Sequence, residues 1–116
     1  MNETKHIAQP VLVTGANGFI GRSVVEKLLA NNTAVRALVL PGDTLPRSWE
    51  NKVSVVRGSI SDPAAVAQAM EDTATVIHLA AVVSDWGEER LYWEFTVEGS
   101  RNLFDQAMKT GARVVL

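Results

Sequence analysis

The run Val11-Leu12-Val13-Thr14-Gly15-Ala16-Asn17-Gly18-Phe19-Ile20-Gly21 constrains this chain more than any other feature. A short β-branched stretch, residues 10–14, ends at Thr14, and three glycines follow at a spacing of three. The segment from Arg22 to Asn31 then carries apolar side chains at Val24, Val25, Leu28 and Leu29. This pattern is a strand, a tight turn and an amphipathic helix. The three glycines act differently. Gly15 lets the chain reverse after the strand, Gly18 leaves the backbone bare to an approaching phosphate, and Gly21 lets the helix lie close on the sheet. The unpaired N–H groups at the helix start, together with the positive end of its dipole, favour an anion there.

The same alternation continues along the chain. Asn31-Asn32 ends the first helix, Ala34 to Leu40 makes a second strand stopped by Pro41-Gly42, and Val53 to Arg57 makes a third. Asp62 supplies a capping side chain directly before Pro63, which suits the first turn of a helix running to about Glu71. Thr75 to Leu79 is a fourth strand. After the loop Val82 to Arg90, a long helix from about Leu91 to Lys109 ends at Gly111, and a fifth strand begins at Ala112. Strands apolar on both faces, alternating with helices, predict an α/β protein: a three-layer Rossmann fold with a parallel sheet of order 3-2-1-4-5, truncated after the fifth strand. Ligands of such sheets bind beyond the carboxyl ends of the strands, where the winding reverses between strands one and four. The glycine turn and His78-Leu79-Ala80-Ala81 both fall there.

Composition narrows the remaining classes. The 116 residues, 47% of them hydrophobic, suit one domain spanning residues 1–116. Eleven basic against thirteen acidic residues leave a net charge of -2, which argues against sequence-independent nucleic-acid binding. The absence of cysteine excludes disulfides and thiolate metal sites, and His6 and His78 are the only histidines. No apolar stretch reaches the length of a signal peptide or a membrane span, so the expectation is a soluble, cytoplasmic protein with no membrane partner. Pro41 to Glu50 reads as a surface loop.

The segment Thr14-Gly15-Ala16-Asn17-Gly18-Phe19-Ile20-Gly21 resembles the opening signature of the extended short-chain dehydrogenases/reductases, the NAD-dependent epimerase/dehydratase family. Three further segments are similar to the family's motifs in the right order: Gly58-Ser59-Ile60-Ser61-Asp62, which corresponds to the adenine-contacting segment, His78-Leu79-Ala80-Ala81, and Val97-Glu98-Gly99-Ser100-Arg101-Asn102 on the long helix. The resemblance implies a dinucleotide cofactor, NADP or NAD, held by Gly15, Asn17, Gly18, Phe19, Ile20, Gly21, Ser59, Ile60, Leu79, Ala80 and Ala81. It also implies a small-molecule substrate for the parent protein and a homodimer through helix 91–109.

Two positions depart from the family. Ser59 stands where an acidic residue is usual, and Thr96 where the long-helix pattern begins with Asn. The family's catalysis uses a Ser, a Tyr and a Lys, the lysine favouring the charged phenolate. None is assignable here, because Tyr92 is the only tyrosine and is followed four residues later by Thr96. The serine and the Tyr-x-x-x-Lys pair are expected beyond Leu116, so this chain alone should not turn over substrate, and no catalytic residue and no metal ligand is assigned.

At the end of the second strand, Val39-Leu40-Pro41 offers neither the acid that would bind a ribose 2′-hydroxyl nor an arginine for a 2′-phosphate. Arg22 and Arg36 are the candidates for the phosphate, against the plainer readings of a solvated first-turn residue and a polar strand edge; the choice leans to NADP. His78, ending an apolar strand, reads as a structural histidine. Trp86, Tyr92, Trp93 and Phe95 read equally as packing or as substrate pocket, and Ser84 and Asp85 as ordinary loop residues. The resulting expectation is the NAD(P)-binding part of an oxidoreductase, epimerase or dehydratase that transfers hydride to or from a secondary alcohol or ketone. Its segment Ala81 to Asn102 looks most like 3β-hydroxysteroid dehydrogenases and dihydroflavonol reductases, with nucleotide-sugar-modifying enzymes also open. The alternative is a non-catalytic NAD(P)-sensing module of the same fold.

Overall fold

Five short strands, the central three buried or half-buried and the two at the edges mostly exposed, make a single parallel sheet. The computed structural model describes residues 8–79 and 89–115, and of residues 89–99 only the helical backbone. Among the described residues the elements are β1 (Val11–Thr14), α1 (Phe19–Ala30), β2 (Val35–Val39), β3 (Val53–Arg57), α2 (Pro63–Met70), β4 (Thr75–His78), α3 (Glu89–Thr110) and β5 (Arg113–Val115), with a 3-10 turn at Arg47–Trp49. The sheet order is β3-β2-β1-β4-β5, as the alternation of elements predicts. In register, Thr14 lies beside Leu38 of β2 and His78 of β4, so the three central strands end together and open one crevice.

The pleat divides the core into two layers. Leu12, Leu38, Val56 and Val76 face Val66, Ala69 and Met70 of α2 and Leu103 and Ala107 of α3. Val11, Val13, Val35, Ala37 and Val39 face Val25 and Leu28 of α1, and Trp49. Alternate residues of a strand point to opposite faces, so the near-continuous apolar runs in β1 and β2 require cover on both sides.

Local chemistry sets the helix ends. Asp62 Oδ1 accepts the Ala64 N–H at 3.0 Å and Pro63 occupies the first turn of α2. Asn32 adopts a left-handed φ of 59° after α1, while the Asn32 and Thr33 N–H groups return to the carbonyls of Leu29 and Leu28. Helix α1 begins at Phe19, a turn earlier than the apolar periodicity from Arg22 suggests, because Gly18 already serves as its N-cap. Among the described residues, no helix is long and apolar enough to cross a membrane.

Arg36 has a different place from that expected of a 2′-phosphate ligand. It is the second residue of β2, toward the end of the strand remote from the crevice. Its Nη1 donates to the Ala69 carbonyl at 2.8 Å and to the Glu71 carbonyl, with Thr73 Oγ1 at 3.4 Å. The guanidinium satisfies carbonyls left open at the C-terminus of α2, where a cation also suits the helix dipole.

Candidate functional site

The crevice begins at the turn after β1. Gly15 holds a φ of 64°, a conformation costly for residues with a Cβ, and its carbonyl accepts the Gly18 N–H at 3.1 Å. Gly18 caps α1 without any side-chain hydrogen bond, and the first helical bond joins the Arg22 N–H to the Gly18 carbonyl at 2.9 Å. The N–H groups of Phe19, Ile20 and Gly21 therefore belong to the unpaired first turn, which contains no acidic residue to neutralise the positive end of the dipole.

The three glycines differ in what a side chain would meet. A Cβ on Gly21 would lie 2.1 Å from the Gly15 carbonyl oxygen and 2.8 Å from Ala16 backbone atoms, so this residue is the contact at which helix and turn touch. A Cβ on Gly18 would meet, among the described residues, only the Gly15 oxygen at 3.4 Å. The turn therefore accommodates a methyl group at Gly18 and cannot accommodate one at Gly21. What a side chain at Gly18 would occupy is the approach to the helix N-terminus. Beside it, Phe19 and Ile20 are 93% and 65% exposed, apolar groups on the first turn of α1.

Asn17 and Arg22 lock the rim of the turn. Arg22 Nη2 and Nε donate to Asn17 Oδ1 at 2.7 and 3.0 Å, and Nη2 reaches the Thr44 carbonyl at 3.5 Å. Residue 44 lies in the loop after β2, which is also held from the other side: Arg57 Nη1 donates to the carbonyls of Leu40, Pro41 and Asp43 at 3.3, 3.2 and 2.9 Å. Asp43 Oδ2 in turn accepts the Leu40 N–H at 3.2 Å.

The loops after β3 and β4 flank the turn on either side, and α3 reaches both. Ser59 Oγ accepts the Ser61 N–H at 3.1 Å and lies 2.7 Å from Ser61 Oγ, closing the loop on itself. Ile60 is only 4% exposed and belongs to the core, so its side chain stabilises the loop from below and its carbonyl accepts Asn102 Nδ2 at 3.1 Å. Leu79 is partly buried against the α1-side core, and its N–H is held by Thr14 Oγ1 at 3.0 Å. Ala80 and Ala81, and with them Ser84, Asp85 and Trp86, lie outside the described residues, as do the side chains of Tyr92, Trp93 and Phe95.

His78 occupies the structural place expected of it. Its Nδ1 lies 2.7 Å from Thr14 Oγ1 and its Nε2 lies 3.1 Å from Ser100 Oγ. Desolvation lowers its pKa below 6.5, so the ring is neutral at pH 7, donating through one nitrogen and accepting through the other. Thr14, Ser100 and Asn102 are polar groups that the strand and helix patterns do not single out by function; the opening signature includes the first and the long-helix motif the last two.

A helix N-terminus without a side-chain cap, beside the carboxyl ends of the central strands, suits a phosphate-bearing ligand, and comparison with known proteins agrees. The sequence profile of the NAD dependent epimerase/dehydratase family matches residues 11–116. The chain belongs to that family. Among its curated relatives, D-erythronate dehydrogenase of Cupriavidus necator is 35% identical over 113 residues, covering 87% of this chain and 35% of the relative. The mouse 3 beta-hydroxysteroid dehydrogenase type 7 is 29% identical over 114 residues, covering 90% and 31%. Among solved structures, the UDP-glucose 4-epimerase of Thermus thermophilus in complex with NAD superposes with a TM-score of 0.75 at 31% identity, covering 88% of this chain and 34% of that one. The chain thus spans about a third of the length of these family members.

Proposed function

We propose that this chain is the dinucleotide-holding portion of an NAD(P)-dependent oxidoreductase, epimerase or dehydratase. The observation that carries the proposal is the bare Gly18 cap. It leaves the N–H groups of Phe19, Ile20 and Gly21 open to an anion, in a first turn without an acid, at the point where the winding of the sheet reverses. In this reading Gly15, Asn17, Gly18, Phe19, Ile20 and Gly21 receive the pyrophosphate. Ser59 and Ile60 border the adenine, the latter through its backbone, and Leu79, Ala80 and Ala81 line the other half of the ligand. When bound, the nicotinamide supplies hydride exchange with a secondary alcohol or ketone. The relatives' substrates support a hydroxy acid, a sterol or a nucleotide sugar as the class. No acid or base of this chain is assigned to that exchange, since the neutral, half-buried His78 is committed to Thr14 and Ser100, and the chain by itself is expected to bind without turnover.

Calorimetric titration with NAD(H) and NADP(H) tests the reading. Saturable binding that a bulky side chain at Gly18 abolishes supports it, and a folded chain that binds neither refutes it. For the 2′-phosphate of NADP, Arg22 is the remaining candidate, beside the loop after β2. A preference for NADP that Arg22→Ala removes supports this choice, whereas a preference for NAD unaffected by Arg22 overturns it. We further propose a cytoplasmic homodimer that pairs through α3, where Phe104 and the 85% exposed Met108 lie one turn apart. Light scattering of Met108→Glu against the unaltered chain tests the pairing.

A further inference from the structure

Helix α3 reaches two of the loops that rim the crevice through two polar side chains. Leu103 is fully buried, and at about 100° per residue Ser100 lies roughly 60° to one side of it and Asn102 about 100° to the other. Asn102 bonds directly to a loop, and Ser100 bonds to His78, the last residue of β4. Asn102 Nδ2 donates to the Ile60 carbonyl, in the loop after β3, at 3.1 Å. Ser100 Oγ meets His78 Nε2 at 3.1 Å, His78 Nδ1 meets Thr14 Oγ1 at 2.7 Å, and Thr14 Oγ1 accepts the N–H of Leu79, where the loop after β4 begins, at 3.0 Å. Polar atoms in a partly buried setting find such partners as a rule, but these partners also fix the Ile60 carbonyl and the start of the loop after β4.

We propose that Asn102 and Ser100 are positioning residues, one for each half of a bound dinucleotide, so that a single helix sets the adenosine-side and nicotinamide-side loops together. The inference rests on the dinucleotide reading above. In the order β3-β2-β1-β4-β5, the ribose-reading end of β2 and the loop after β3 lie on one side of the glycine turn, and the loop after β4 lies on the other. A ligand crossing the turn therefore places its adenosine beside the loop that Asn102 holds and its second nucleoside beside the loop that Ser100 holds through His78. Neither residue need touch the ligand. The hydrogen bonds fix the Ile60 carbonyl in the loop after β3 and the Leu79 N–H at the start of the loop after β4, and loss of that restraint weakens the contacts made there.

Titrations with ADP, which carries only the adenosine half and the diphosphate, and with NAD separate the two roles. Asn102→Ala is expected to weaken ADP and NAD alike, by about three- to tenfold, the range of one hydrogen bond. Ser100→Ala is expected to weaken NAD by a similar factor and to leave ADP unchanged. Asn102→Asp, which keeps the shape and loses the donor, should behave as Asn102→Ala, and Ser100→Thr, which keeps the hydroxyl, should recover NAD affinity. Melting temperatures of the variants show that each is folded at the titration temperature. Equal weakening of both ligands by Ser100→Ala, ADP affinity indifferent to Asn102, or NAD binding no tighter than ADP in the unaltered chain would each overturn the assignment. If the unaltered, folded chain binds neither ligand, the dinucleotide reading itself fails, a result distinct from a failure of the two variants to separate.

Discussion

Replacing Gly21 and Gly18 by alanine, one at a time, should separate folding from binding within a single turn. At Gly21 the new Cβ would stand 2.1 Å from the Gly15 oxygen and 2.8 Å from Ala16 backbone atoms, none of which can rotate away. Roughly 1 Å must open between helix and turn before ordinary contact distances return. Overpacking of this kind costs about 1–3 kcal/mol, and backbone against backbone belongs at the upper end. Alanine recovers about 0.5–1 kcal/mol of helix propensity, so the net loss is about 2–2.5 kcal/mol. For a chain of this size that lowers Tm by about 10–15 °C. Gly18 has φ −75° and ψ 173°, accessible to any residue, and its Cβ would meet only the Gly15 oxygen at 3.4 Å. Gly18→Ala should therefore keep Tm within a few degrees, since an alanine at the N-cap costs only about 1 kcal/mol or less relative to glycine. Its dinucleotide affinity should fall at least about tenfold, because the methyl group stands in the approach to the helix N-terminus. Thermal unfolding followed by circular dichroism, with parallel titrations of NAD and NADP, reads both effects. The reasoning is refuted if Gly21→Ala melts with the unaltered chain, or if Gly18→Ala loses stability and retains its affinity.

Three other perturbations follow from the same contacts. Because burial lowers the pKa of His78, the unfolded chain takes up a proton first as pH falls below 6.5; stability should decline from there to the folded-state pKa and level off below it. Urea unfolding between pH 5 and 7 should show this slope reduced in His78→Asn, with His6 a common background. Arg36→Met removes the donor from the Ala69 and Glu71 carbonyls and should cost about 1–3 kcal/mol in denaturant unfolding, without altering the choice between NAD and NADP. A changed cofactor preference would return Arg36 to the ligand site. Glu26 Oε2 accepts both Ser48 Oγ at 2.8 Å and the Trp49 indole N–H at 3.1 Å. Glu26→Ala should cost about 1–3 kcal/mol and shift the emission of the buried Trp49, whereas unchanged emission and stability would show that the pair contributes nothing.

What the sequence determines by itself are features whose cause lies within a few residues. The β-branched run ending at Thr14, the glycine spacing of three, Asp62 before Pro63 and the asparagines after α1 each specify a local conformation, and each element forms where those signals stand, within a few residues at the ends. Their alternation also carries the sheet order, because parallel strands joined through helices have few unknotted arrangements. Tertiary structure decides the partners across long separations. Arg36 is a polar residue on a strand until the sheet brings it to α2, 33 to 37 residues away, where it serves helix carbonyls instead of a phosphate. Gly58 reads as the start of a loop, yet a Cβ there would lie 2.5 Å from the Ala65 methyl, so it is a packing contact with α2. Thr14 meets His78 across 64 residues, and Asn102 reaches Ile60 across 42. Such bonds depend on which strands are neighbours and which face of α3 meets them; helical and strand periodicities mark a buried face but do not name the polar atom waiting on the other side.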